Sequence, residues 1–323
     1  MELVDGIVKR ASQMNSMDTP LVSIGLPVFN GEMYIRSALD SLLRQSYRNI
    51  EIIVCDNAST DATGDILNGY MGKDDRIQYY RHSENLGAAK NYNFSFEKSN
   101  GKYFKWAAHD DVLDVQYIER CVRELEKDDN VVLVQPRTGQ IDGNGDFTGH
   151  DYVKSADVIA ENSFGYPQYK RLIRDKGSWT RIFGLIRSDA LRDSPLIANY
   201  VGSDLTLLGE LGLKGKVRDI DDVLFWRREH GNTSTTGNYK PRRKRHVWFD
   251  SSSKQKLSLP EWRLNTEMLL SVNRQNISIN RKLKCFYAVV SRMWLKRRLL
   301  AQDIYFVMTD FVSNLQRRNV EKA

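Results

Sequence analysis

Residues 101–114, GKYFKWAAHDDVLD, decide how the rest of the chain is read. Tyr103, Phe104, Lys105, Trp106, Ala107 and Ala108 make an aromatic, apolar run too short for a free-standing helix, which predicts a strand buried on both faces. The character changes at His109, Asp110 and Asp111. Two adjacent carboxylates then stand at the C-terminal end of that strand, the edge where open α/β sheets hold their ligands. Neighbouring carboxylates raise each other's pKa unless a cation or strong donors sit between them, and a divalent metal meets that need. The competing reading is that Asp110 or Asp111 only caps a helix beginning near Asp114.

Moving outward, the preceding hundred residues repeat one unit. Residues 21–26, LVSIGL, predict a strand ended by Pro27, followed by a loop through Val28, Phe29, Asn30 and Gly31. A helix is expected over 32–45, with Ile35, Ala38, Leu39, Leu42 and Leu43 on one face. A second strand over 50–55 ends in Asp56 and Asn57 and leads through Asp61 to a helix running towards Tyr70. A third strand at 77–80 is followed by Glu84, Asn85, Leu86 and Gly87 and a helix to about Glu97, and a fourth helix runs from about Asp114 to Lys127. Four strand and helix units predict an α/β fold with a mostly parallel central sheet and helices on both faces. Right-handed crossovers set every strand-end loop along one edge. Residues 27–30, 56–57, 85–87 and 110–111 are therefore expected to line one cleft.

Beyond residue 130 the pattern thins. A strand over 131–135, a DGNG hairpin turn at 142–145, a helix over 164–174 and an apolar segment over 182–186 are expected, with Trp179 either stacking on a sugar ring or packing in the core. Asp204 precedes Leu205, Leu207, Leu208, Leu211 and Leu213, a helical apolar face. It stands at a helix N-terminus, either as a cap or as a carboxylate facing the cleft, where it would act as a general base.

These features in order resemble the GT-A fold glycosyltransferases of family 2. The resemblance rests on VSIGLPVFN, IEIIVCDNASTD and WAAHDD, with GSDLTLLGELGLKG at 202–215 similar to the helix carrying the catalytic base and RREHGNTS at 227–234 similar to the segment closing the site. It covers roughly residues 20–236. It implies an inverting transfer of sugar from a nucleoside-diphosphate sugar to a hydroxyl of a glycan or lipid-linked acceptor, in cell-surface polysaccharide or glycolipid synthesis. Pro27, Phe29, Asn30, Asp56, Asn85, Gly87, Lys90 and Asp110 are then expected around the nucleotide, Asp111 and His230 on Mn²⁺ or Mg²⁺, and Asp204 as the catalytic base. Lys90 stands where the family often has arginine, and His109 where it often has a third acid.

The 323 residues and 41% hydrophobic content allow a sizeable core. No apolar run reaches a membrane span, the start lacks a signal-peptide core, and Cys55, Cys121 and Cys285 lack metal or disulfide spacing, so a cytoplasmic enzyme is expected. The net charge of +7 is lopsided: residues 240–323 hold 19 Lys or Arg against 6 Asp or Glu, a net of +13 that leaves the rest at −6. The chain divides into a leader (1–20), a catalytic domain (21–238) and a basic helical extension (239–323), separable enough that truncation after Asn238 is expected to spare the cleft. The extension, with PRRKRH and an amphipathic stretch over 281–298, suits peripheral contact with the inner face of a membrane, packing back on the domain, or a homodimer contact.

Two other function classes compete. A nucleotidyltransferase also uses strand-end acids and metal but usually needs a Gly-rich phosphate loop, which the first strand lacks. A nucleic-acid-binding protein would use the tail, yet no nucleic-acid module is present and basic residues alone give only nonspecific binding. A catalytically idle scaffold would require Asp204 or Asp111 to face away from the cleft.

Overall fold

The computed structural model describes residues 19–151, 164–174, 178–231 and 259–320. Residues 1–18 of the expected leader, the PRRKRH segment at 241–246 and the boundary expected at 238/239 lie outside them. The repeated unit appears as β1 (Val22–Val28), α1 (Ile35–Leu43), β2 (Ile50–Asp56), α2 (Thr63–Met71), β3 (Ile77–Arg81), α3 (Ala88–Glu97) and β4 (Tyr103–Trp106). The strands pair in parallel in the order β3-β2-β1-β4. Every residue of β1 and β2 is buried, as a parallel sheet covered on both faces requires. In β4 the pleat sends Tyr103 into the core under α1, while Phe104 and Trp106 enter a second core with Ala89 and Phe96 of α3 on the opposite face.

The chain continues through β5 (Val112–Leu113), α4 (Tyr117–Lys127), β6 (Val131–Ile141), β7 (Phe147–Asp151), α5 (Tyr166–Leu172), β8 (Leu185–Arg187), α6 (Ser188–Arg192), α7 (Ser203–Lys214) and β9 (Lys216–Arg228). The sheet extends past β4 as β8-β6-β9-β5, with β7 beside β6. Past β4 the sheet is mixed: β8 is antiparallel to both β4 and β6, β6 and β9 run parallel, and β5 is antiparallel to β9. The DGNG turn closes the β6–β7 hairpin, with the Asp142 N–H donating to the Asp146 carbonyl at 2.9 Å and Gly145 at φ +97°.

Pro27 does not end the first strand. The Gly25 carbonyl accepts from Ala107 on the β4 side, and Pro27 faces the same side two residues on, past the last β4 partner. Its missing N–H therefore breaks no ladder bond.

The basic extension is not a detachable tail. Helix α8 (Pro260–Arg274) and helix α9 (Ile279–Leu295) precede α10 (Arg297–Val320). Leu264, Met268, Val272, Cys285, Ala288 and Val289 from the first two share a core with Tyr169, Ile173, Tyr200 and Leu213 of the catalytic domain. Buried Arg292 locks this core, donating to Glu261 Oε1 at 2.6 Å, Asn265 Oδ1 at 2.8 Å and the Ile173 carbonyl at 3.0 Å. Truncation after Asn238 would remove six of these ten core side chains.

Lys105 lies on the same side of β4 as Tyr103, fully buried. Its Nζ donates to the Trp106 carbonyl at 2.8 Å and sits 4.9 Å from the Tyr117 ring centroid. Desolvation pushes its pKa down to about 7 from 10.5. Between those values the unfolded chain binds the extra proton, so the stability of the natural chain rises with pH across that window. Lys105→Met removes this titration. The variant is expected to be the more stable protein near neutral pH, with an advantage that shrinks by about 1.4 kcal/mol per pH unit towards the alkaline end. Denaturant unfolding at a series of pH values measures it, and a pH-independent difference would refute it.

Candidate active site

The parallel strands deliver their C-terminal loops to one edge, and side chains lace those loops together. The Asn30 N–H donates to Ser59 Oγ at 2.9 Å, and Asn30 Oδ1 accepts from the Thr60 N–H at 2.8 Å. Asn30 itself adopts φ +51° and Phe29 beside it is exposed. Asn57 bonds Asn85 at 2.9 Å, whose Oδ1 also accepts from the Gly87 N–H at 2.9 Å. Gly87, at φ +85°, forms the N-cap of α3, a conformation that suits glycine. Lys90 follows in the first turn of that helix and is exposed.

Asp56 and Pro27 are buried at the ends of their strands. The Asp56 side chain is fully buried. Its Oδ1 accepts from the Ser59 N–H at 2.8 Å, and its Oδ2 takes the Tyr79 hydroxyl at 2.9 Å and Arg81 Nη1 at 3.0 Å. Arg81, half-exposed, carries this anchorage out to the cleft surface. Sequence reasoning passed over Arg81 because an arginine at a strand end looks like an ordinary surface residue.

At the end of β4 the two aspartates go to different partners. Residues 112–113 pair at once with β9, Val112 opposite Trp226, which brings the last residues of β9 beside Asp110 and Asp111. Asp110 Oδ2 lies 3.0 Å from His230 Nε2, so the histidine expected beside Asp111 meets Asp110. Asp111 Oδ1 accepts from the Arg228 N–H at 2.8 Å. Burial acts against ionising Asp110, yet the His230 hydrogen bond and the positive character of His109 and His230 hold its carboxyl below the usual value. Asp111 moves the opposite way, raised by burial and by the charge of Asp110. Neither aspartate caps α4: Gln45 Oε1 accepts from the Ile118 N–H at 3.0 Å and Asp114 Oδ1 from the Gln116 N–H at 2.9 Å.

Asp204 arrives on α7. The N-cap of α7 is Gly202 at φ +90°, which puts Asp204 inside the first turn, half-buried, and removes the reading of it as the cap. The charges of Asp110, Asp111 and Asp204 all act on the Tyr92 phenol, which burial first and then these acids raise above its usual pKa. Tyr92, on α3, thus lies within electrostatic reach of all three carboxylates. Nothing in the sequence around Tyr92 signals this, because it comes from helix packing. A Cβ on Gly202 would stand 2.8 Å from Leu264 Cδ2, so α8 presses on the turn that aims Asp204.

The family model described as Glycosyl transferase family 2 matches residues 23–192, more than half of the chain. The chain belongs to that family. An uncharacterised glycosyltransferase of Rickettsia felis is 41% identical over 124 residues, covering 38% of this chain and 20% of that protein. The chondroitin synthase of Pasteurella multocida is 26% identical over 246 residues, covering 74% of this chain and 24% of that protein. The chain thus spans about a quarter or less of the length of these two relatives. Among solved structures, S. aureus TarS 1–349 in complex with UDP-GlcNAc superposes with a TM-score of 0.63 at 14% identity, covering 88% of this chain and 80% of that one. The same fragment with UDP gives 0.61 at 15% identity, covering 84% and 71%.

Two consecutive arginines stand at the end of β9 beside Asp110 and Asp111. Arg228 Nε donates to the Asp110 carbonyl at 2.9 Å, Nη1 to the Asp142 carbonyl at 3.1 Å and Nη2 to Ser37 Oγ at 3.3 Å, with the guanidinium 4.8 Å from the Tyr34 ring. Arg227, also buried, lies 4.8 Å over the Trp179 ring and lowers the Asp111 carboxyl by its charge. The doublet was visible in RREHG, but only burial distinguishes it from a solvated pair. Arg228→Lys keeps the charge and loses the fork, so we expect a destabilisation of about 1–3 kcal/mol in denaturant unfolding. Unchanged stability would show the fork to be dispensable.

Proposed function

We propose that the enzyme transfers a sugar from a nucleoside-diphosphate sugar to an acceptor hydroxyl with inversion at the anomeric carbon. The observation that carries this is the Asp110 and Asp111 pair at the end of β4, held by His230 and by the Arg228 N–H at the end of β9, with Asp204 in the first turn of α7. The nucleotide lies along the loops holding Phe29, Asn30, Asn85, Gly87 and Lys90, with Asp56 acting through Arg81 and the backbone it fixes. The TarS complexes with UDP and UDP-GlcNAc support a nucleotide-sugar donor, and the chondroitin synthase relative supports a glycan acceptor.

Asp204 accepts the proton of the acceptor hydroxyl as its oxygen attacks the anomeric carbon from the face opposite the diphosphate. The bond from that carbon to the diphosphate oxygen breaks, and the nucleoside diphosphate departs with the electron pair. Among the described residues no cluster of three or more His, Cys, Asp or Glu is arranged to cage a metal. Two adjacent carboxylates, one of them raised by the other, nevertheless fit a hard cation shared with substrate phosphates, a binding mode in which the protein gives only one or two carboxylates. Asp111, with Asp110 beside it, would hold Mn²⁺ or Mg²⁺ there, and the ion would neutralise charge developing on the leaving diphosphate. His230 and Arg228 steady the two aspartates, and Arg227 adds a buried positive charge on the same side.

Two measurements test the proposal. A thermal-shift series with UDP, GDP and dTDP, each with and without Mn²⁺, is expected to show stabilisation by at least one nucleotide that Mn²⁺ strengthens. If no nucleotide stabilises the protein with any divalent ion, the donor site is lost. Asp204→Asn keeps the side chain's size at a helix terminus and should change stability by less than about 1 kcal/mol. Release of nucleoside diphosphate from the donor should fall roughly 10² to 10⁴-fold while nucleotide binding persists. Near-normal turnover would rule out the base, and release of pyrophosphate in place of nucleoside diphosphate would favour a nucleotidyltransferase.

A further inference from the structure

Helix α9 has two apolar faces, and among the described residues only one of them is covered. Cys285, Ala288, Val289 and Arg292 face the shared core and are buried. On the opposite side Ile279, Leu283, Tyr287, Val290 and Trp294 follow one another at i, i+4, i+8, i+11 and i+15, which makes a continuous ridge. Their exposures are 66%, 57%, 66%, 55% and 70%. A surface helix ordinarily turns charged and polar residues to water on that side. A ridge of this length with an aromatic pair in it is a contact surface awaiting an occupant.

The charge around the ridge selects the occupant. Residues 268–302 hold 8 Lys or Arg and no Asp or Glu. Two of these cations turn inward, Arg274 onto Glu210 and Arg292 onto Glu261. Lys282 and Lys284 bracket Leu283, one on each flank of the ridge, and Arg297 and Arg298 follow its C-terminal end, both exposed. A second copy of the chain would bring cations against cations across the ridge, a juxtaposition that opposes pairing. An anionic lipid surface attracts the same cations, and its headgroup layer is where tryptophan and tyrosine side chains settle. The helix needs no ordering to meet it, since Arg292 already ties it to Glu261, Asn265 and Ile173. No described helix is long and apolar enough to cross a membrane, so the contact would be peripheral.

We infer that the outer face of α9 docks on an anionic lipid surface, with Leu283, Tyr287 and Trp294 entering the headgroup layer and the flanking lysines and arginines meeting lipid phosphates. This rests on α9 alone and stands whether or not the proposed reaction is correct. The test uses the full chain in co-sedimentation with vesicles of phosphatidylcholine alone and of equimolar phosphatidylcholine and phosphatidylglycerol. Binding to the mixed vesicles is expected to exceed binding to the neutral ones by at least roughly tenfold, and to weaken with added salt. The triple variant Leu283→Ser, Tyr287→Ser, Trp294→Ser should lose at least roughly tenfold in binding, because the apolar face supplies much of an interfacial helix's affinity. Its unfolding midpoint should stay at that of the natural chain, since all three side chains are exposed; Trp294→Ser alone should show a smaller loss in the same direction. Three results would overturn the inference: no vesicle binding, full binding by the triple variant, or a dimer of the natural chain that the substitutions dissolve.

Discussion

Asp111 accepts the Arg228 N–H at 2.8 Å, and around that bond the end of β9 is tied to the end of β4. Two adjacent carboxylates at the close of a buried strand repel each other and resist ionisation. The fold answers by bringing four basic groups to the same point: His109 from the loop itself, and Arg227, Arg228 and His230 from 116 to 119 residues further along the chain. The short pairing of β5 with β9 delivers them. In the sheet, β4 and β9 are separated by β8 and β6, so the chain must step from the middle of the sheet to its far edge between Trp106 and Val112. The Asp110 and Asp111 loop is that step.

The same logic extends to α7. Asp204 reaches the cleft because α7 starts at Gly202, a residue whose positive φ and missing Cβ let Leu264 of α8 pack against the turn. The C-terminal helices therefore contribute to the site without touching it. They close the core beneath α5 and α7, and the buried Arg292, Glu261 and Asn265 network fixes how they do so. Breaking such a network strands a charge in the interior, which makes it a strong constraint on geometry even where its net contribution to stability is small.

Family membership defines the broad chemistry, while the departures define this chain. Histidine at position 109 leaves two carboxylates at the strand end, and His230 goes to the one that is held ionised. Asp56 is bound internally to Tyr79 and Arg81, and Asn57 to Asn85, so the strand-end loops are fixed to one another by side chains.

The sequence by itself determined the repeated strand and helix units, the common edge of their loops, and the identity of the acids. These depend on local periodicity and on the handedness of crossovers, both of which are written in short windows of residues. It also exposed the α9 stretch as amphipathic and basic, because helical spacing is local. Only the tertiary structure decided the rest. Pro27 stays inside β1 because β4 ends before it, a fact about a neighbouring strand. His230 pairs with Asp110 because β5 registers Val112 on Trp226, a contact across more than a hundred residues. Tyr92 comes within electrostatic reach of three acids, and the C-terminal helices become part of the core, through packing of helices whose surfaces carry no record of their partners. Local spacing determines which face of an element is apolar; which other element covers that face depends on the shape of the whole chain, and α9 is where one such face is left uncovered by the described residues.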